Sequence, residues 1–176
     1  MRATGLLVVA AVLIVGALSA QAPRSPYAGE ERRAIKSLSD EEIAAYLNGD
    51  GLGFAKAAEL NRYPGPRHSL DMAEGLALSP TQRDAITAIR DSMRAGAIRL
   101  GREIVAREGA LDSLFAAHAI DEAQLAAAVS AIARLQGELR AVHLAAHLAT
   151  TRVLTEQQVA RYQAMRGYGA SGGHRH

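Results

Sequence analysis

From Pro80 onward, Ile86, Ile89, Met93, Ala97, Leu100, Ile104, Leu111, Phe115 and His118 recur at three-and-four spacing, which marks one face of an α-helix. A second stretch repeats the pattern with Leu125, Val129, Ile132, Leu139, Val142, Ala146 and Val153. Only Ala119, Ile120 and Asp121 separate the two. Long helices joined so tightly must fold back antiparallel, because a short loop leaves no other way to bury both stripes. The spacing therefore predicts an all-α fold built on a long antiparallel hairpin, with short N-terminal helices packed on it. Composition agrees: Ala and Leu dominate, 49% of residues are apolar, and five Tyr and two Phe are the only aromatics. A length of 176 residues fits one domain.

Two similar phrases mark helix starts at the open end of this hairpin, Leu78-Ser79-Pro80-Thr81-Gln82 and Leu154-Thr155-Glu156-Gln157-Gln158. In each, the Ser or Thr serves as N-cap and the Gln three residues later closes a capping box. Pro80 suits the first helical position, where its missing N–H is not needed. Leu154 and Val159 occupy the two positions of a hydrophobic staple. Related starts stand at Ser39-Asp40-Glu41-Glu42 and Asp121-Glu122-Ala123-Gln124. Ahead of the hairpin, a short helix is expected from Asp40 to Leu47, a second from Phe54 to Leu60, and a third from Pro66 carrying His68, Leu70 and Met72. Gly96, Gly101 and Gly109 interrupt the first long helix at about 1 kcal/mol each relative to Ala, so they mark a bend or a close approach. Glu108 falls on the apolar stripe, as a snorkelling or interface carboxylate or one linked to a metal or partner.

Arg2, the apolar run Leu6 to Leu18 and the small residues Ser19, Ala20 and Ala22 have the layout of a secretory signal over 1–22. The run is shorter than the roughly 20 residues a spanning helix needs, which leaves an uncleaved membrane anchor as the alternative. A periplasmic destination is expected. The chain has no cysteine, so stability must come from packing or metal rather than disulfides. Residues 23–38 read as a polar linker, 39–168 as the helical domain, and 169–176 as a flexible tail containing His174 and His176. A formal charge of +2 with mixed signs excludes nucleic acid as a natural partner. There is no G-x-S-x-G elbow and no glycine-rich phosphate loop after a strand, so an enzyme is not expected.

Histidine placement is the main chemical signal. His143 and His147 are four apart on the second long helix, so their side chains project from one face and can share an ion. His68 and Met72 repeat the spacing on the third helix, and an imidazole with a thioether suits softer divalent ions. With the turn near 119–120, equal rise per residue sets position 143 level with 96 and position 147 level with 92. Met93 and Asp91 then fall near the pair, and the third helix would bring His68 to the same place. His118, at the hairpin tip, is expected to be structural.

Taken together, the two boxes, the exported helical hairpin, the phrase Val142-His143-Leu144-Ala145-Ala146-His147-Leu148 before the second box, and Tyr63-Pro64-Gly65-Pro66-Arg67-His68 resemble the periplasmic Spy/CpxP superfamily. Its paired Leu-Thr-x-x-Gln proteins include the CnrX-like and ZraP-like heavy-metal sensors. The resemblance covers about residues 38–168, with Ser79 standing where the motif has Thr. It implies a cradle-like homodimer. It also implies a divalent transition metal (Zn, Ni or Co) held by His68, Met72, an acid such as Asp84 or Asp91, His143 and His147. Two functions follow as expectations: a metal-binding stress or heavy-metal sensor or resistance protein with a membrane-bound regulatory partner, or an ATP-independent chaperone that binds unfolding clients without metal.

Overall fold

The computed structural model describes residues 24–168. The signal or anchor read over 1–22 and the His-containing tail over 169–176 lie outside the described residues. Six α-helices follow in order: α1 (Asp40–Asn48), α2 (Lys56–Glu59), α3 (Pro66–Asp71), α4 (Pro80–Ala116), α5 (Glu122–Val153) and α6 (Glu156–Met165). A 3₁₀ turn at Glu30–Arg32 precedes them. Among the described residues there is no strand, and no helix is long and apolar enough to cross a membrane.

The hairpin of α4 and α5 is the frame. Its register is the one that equal rise requires: a Cβ built on Gly96 would touch Val142 Cγ1 at 3.5 Å. The apolar stripes meet at Leu100, Ile104 and Leu139, joined by Leu135 and all at most 2% exposed, whereas Phe115, Leu125 and Val129 toward the tip stay exposed. Burial of each such side chain contributes roughly 1.5–3 kcal/mol. His118 is a departure. It lies beyond the end of α4 with φ of +50°, exposed in the connecting turn, so it does not extend the stripe.

Two apolar clusters fill the molecule. One joins Leu38 and Tyr46 to Ala97, Leu100, Ile104, Leu135 and Leu139, with α1 lying across the hairpin. The crossing is close at Gly101, where a Cβ would stand 2.1 Å from the Tyr46 carbonyl oxygen. Close approach, not a bend, is what this glycine provides. The second cluster closes the open end: Ala73, Leu76, Leu78 and Ile86 pack on Leu154, Val159 and Tyr162.

All four expected capping boxes form, at Ser39, Ser79, Asp121 and Thr155. Two of them do more than cap. The Gln82 amide donates to the Val153 carbonyl at 2.9 Å and to Gln158 Oε1 at 2.9 Å, while the Gln158 amide donates to Gln82 Oε1 at 3.0 Å and the Leu76 carbonyl at 3.3 Å. The two signature phrases are thus bonded to each other.

Of residues 24–38, read as a linker from composition, the last four, Ile35 to Leu38, pack on the hairpin. Ser37 Oγ donates to Glu108 at 2.8 Å, Lys36 pairs with Asp112 at 3.3 Å, and Leu38 is 7% exposed. Glu108 therefore serves as an anchor for this segment. α2 and α3 are shorter than their sequence patterns suggest.

Replacing Gly101 with Ala tests the helix crossing. Better helix propensity would favour the variant by about 1 kcal/mol, but the clash with a backbone oxygen should outweigh it, lowering stability on the order of 2 kcal/mol. Thermal unfolding followed by far-UV circular dichroism should show a midpoint several degrees lower. An unchanged or raised midpoint would refute the crossing.

Candidate metal centre

Between the two apolar clusters, a cavity of about 320 Å³ opens against one face of the hairpin. α5 supplies His143 and His147, α4 supplies Met93, and α2 supplies Glu59. The loop 49–53 contributes Asp50, and α3 contributes His68 at the rim. Helical phase explains the pair on α5, because residues four apart share a face.

His143 is 3% exposed, and its Nε2 is buried without a hydrogen-bond partner. Phe54 stacks on its ring with centroids 6.2 Å apart and planes 18° from parallel. Burial holds the His143 pKa below the usual imidazole value, the nearby His147 adds to that, and Asp50 opposes it. A neutral imidazole with an idle nitrogen is the form that ligates metal.

His147 is also buried. Its Nδ1 lies 2.7 Å from the Tyr63 carbonyl oxygen. A carbonyl can only accept, so Nδ1 carries the proton and the Nε2 lone pair is left free. Such a bond behind a ring orients it for a ligand on the other nitrogen. The segment Tyr63-Pro64-Gly65-Pro66 passes directly over this ring. A Cβ on Gly65 would come within 2.8 Å of His147 Cε1 and 2.9 Å of Nε2. Only glycine allows that passage.

Glu59 provides the carboxylate. Its Oε1 accepts from Tyr162 Oη at 2.7 Å, Tyr168 Oη at 3.2 Å and Arg166 Nε at 3.3 Å. Oε2 is buried without a hydrogen-bond partner and lies 3.8 Å from His147 Nδ1. Burial, followed by the bond to Glu59, raises the Tyr162 pKa, so this hydroxyl stays a donor.

The five residues expected to bind metal divide. His68, His143 and His147 line one cavity. Met72 does not reach it: α3 ends at Asp71, so residue 72 leaves the helical face and packs against the open-end apolar cluster. Asp91 also misses, because two positions before Met93 is more than half a turn around α4. Its side chain is 61% exposed and paired with Arg90 at 2.8 Å. Asp84 is exposed as well. Sequence reasoning missed Glu59 and Asp50, and the only hint lay in their closeness to breakers on either side of a one-turn helix.

His68 Nδ1 is 3.5 Å from Asp71 Oδ2, with the ring 42% exposed. Among the described residues, no three His, Cys, Asp or Glu side chains are already arranged to hold an ion. The donor chemistry nonetheless fits a divalent transition metal. Three histidines and a glutamate line one cavity, and His143 Nε2 and Glu59 Oε2 are buried without a hydrogen-bond partner. Completing a shell requires His68 to turn in from the rim.

A sequence model described as heavy-metal resistance matches residues 6–161. No curated protein and no solved structure matches the chain.

Because the His143 pKa is depressed in the fold, the unfolded chain takes up this proton more readily. The associated stability is complete above the ordinary value of 6.5 and is lost as pH falls through the lower, folded value. In metal-free protein, His143→Gln should therefore lose less stability than wild type between about pH 7.5 and about pH 5. Parallel melting curves at several pH values check this, and identical acid limbs would contradict it.

Proposed function

The chain belongs to the heavy-metal-resistance family, and from that premise we propose that it binds a divalent transition metal, Zn, Ni or Co, in the His143–His147 cavity. One observation carries the reading. Two buried, unpartnered polar atoms, His143 Nε2 and Glu59 Oε2, belong to residues lining the cavity that His147 and His68 also line. An unpaired buried polar group costs about 1–3 kcal/mol, and a bound cation would offset that cost for both. His143, His147 and Glu59 would hold the ion, with His68 joining from α3.

Binding then has a conformational consequence. Drawing His68 inward moves α3 and the segment over His147 toward the hairpin, so occupied and unoccupied protein differ in packing at the cavity mouth. In this reading the protein is of the Spy/CpxP type. It is exported to the periplasm by its first 22 residues and works there as a homodimer. It sequesters the ion or passes its occupancy to a membrane-bound partner. Its activity is binding, not turnover.

A second reading draws on a different observation. Near the hairpin tip Phe115, Leu125 and Val129 are 52%, 39% and 49% exposed, which suits shallow contact with unfolding clients. This would be a metal-independent chaperone.

Two experiments separate the readings. At about 100-fold excess over Kd, a metal that binds only the folded state stabilises it by about 2.7 kcal/mol. The wild-type melting midpoint should rise with Zn²⁺, Ni²⁺ or Co²⁺, and the His143→Gln/His147→Gln double variant should show no rise. An equal rise in both proteins would end the metal reading at this cavity. In a client-aggregation assay, full protection in the presence of chelator is the outcome expected of the chaperone; no protection with or without chelator removes that alternative.

A further inference from the structure

Glu59 is bound on one oxygen and free on the other. Three donors converge on Oε1: the fully buried Tyr162 hydroxyl, the Arg166 guanidinium and the Tyr168 hydroxyl. All three come from α6 or the residues just after it. Oε2, buried and without a hydrogen bond, is left beside His147.

The helix that carries Glu59 cannot supply this precision by itself. α2 is four residues long, Lys56–Glu59, and one turn of helix is marginal without outside support. A glutamate's last torsion is also broad, so a carboxylate held only by its own chain would swing. It could then offer an ion both oxygens. Here the α6 side fixes the carboxylate plane and occupies one oxygen. Arg166 also supplies the charge that makes burying a carboxylate tolerable.

We infer that Tyr162, Arg166 and Tyr168 are positioning residues of the metal centre: by occupying Oε1 they make Glu59 a donor through Oε2 alone, and they tie the cavity to α6. This rests on the metal reading above. Tyr162 belongs at once to the open-end apolar cluster and to this clamp. A pull on Oε2 by an ion is therefore felt directly at the core contact that holds α6 on the hairpin. On this reading α6, besides α3, responds to occupancy.

Removing a residue that orients a metal ligand typically weakens affinity about 10- to 100-fold. The test uses Co²⁺ with the wild-type chain, Tyr162→Phe and Tyr168→Phe, reading affinity by calorimetry and coordination by the visible spectrum. Tyr162→Phe should bind about 10- to 100-fold more weakly, with altered band intensity as the released Oε1 also reaches the ion. Tyr168→Phe, at the cluster's edge, should change in the same direction by less. If Tyr162→Phe does not fold, Tyr168→Phe decides by the same two readings. Variants with wild-type spectra overturn the clamp whatever their affinity, since a merely structural role would leave the coordination unchanged. Wild-type protein that takes up no Co²⁺ overturns the metal reading and the clamp with it.

Discussion

The side-chain amides of Gln82 and Gln158 exchange hydrogen bonds at 2.9 and 3.0 Å, and each also reaches a backbone carbonyl from a different part of the chain. Four points are tied by this pair: the connection before α4, the start of α4, the end of α5 and the start of α6. Each neutral bond contributes only about 0.5–1.5 kcal/mol net, but together they fix a direction. They send α6 back across the open end of the hairpin, where Leu154, Val159 and Tyr162 close an apolar cluster. Without that return, nothing would bring Tyr162 to Glu59.

The cavity occupies the interval where the two apolar clusters part. Along α5 the core side chains Leu135 and Leu139 precede His143 and His147, and Leu154 follows. Burying His143 Nε2 and Glu59 Oε2 without partners works against folding, and the clusters on both sides must outweigh it. Ser69 Oγ and Gln163 Nε2 are likewise buried without a partner, so what sets the first two apart is that His143 and Glu59 line the same cavity. The loop 49–53 with its three glycines, and Gly65 and Pro66, line the cavity, so chain with little side-chain bulk passes close to the histidines.

Much of the fold was legible in residue order because helices announce themselves by period. The α4–α5 hairpin, its register at Gly96 and Val142, and the four capping boxes all follow from local spacing. The histidine pair was legible for the same reason. Glu59 was not, since a one-turn helix is too short to display a phase. Asp91 was misplaced because level along the hairpin does not fix which way a side chain faces. Met72 was misplaced because α3 stops one residue too early for the four-residue spacing with His68 to hold.

By itself the sequence determined an all-helical chain, doubled back near residues 119–121, with two imidazoles on one face of its second long helix. These are local properties, set by capping and by 3.6-residue periodicity. Tertiary structure alone decided which carboxylate stands beside those imidazoles, that Gly65 passes over one of them, and that two glutamines far apart in the chain bond to each other. Those contacts join residues more than seventy positions apart. Their geometry depends on how whole helices pack, and no local pattern encodes that.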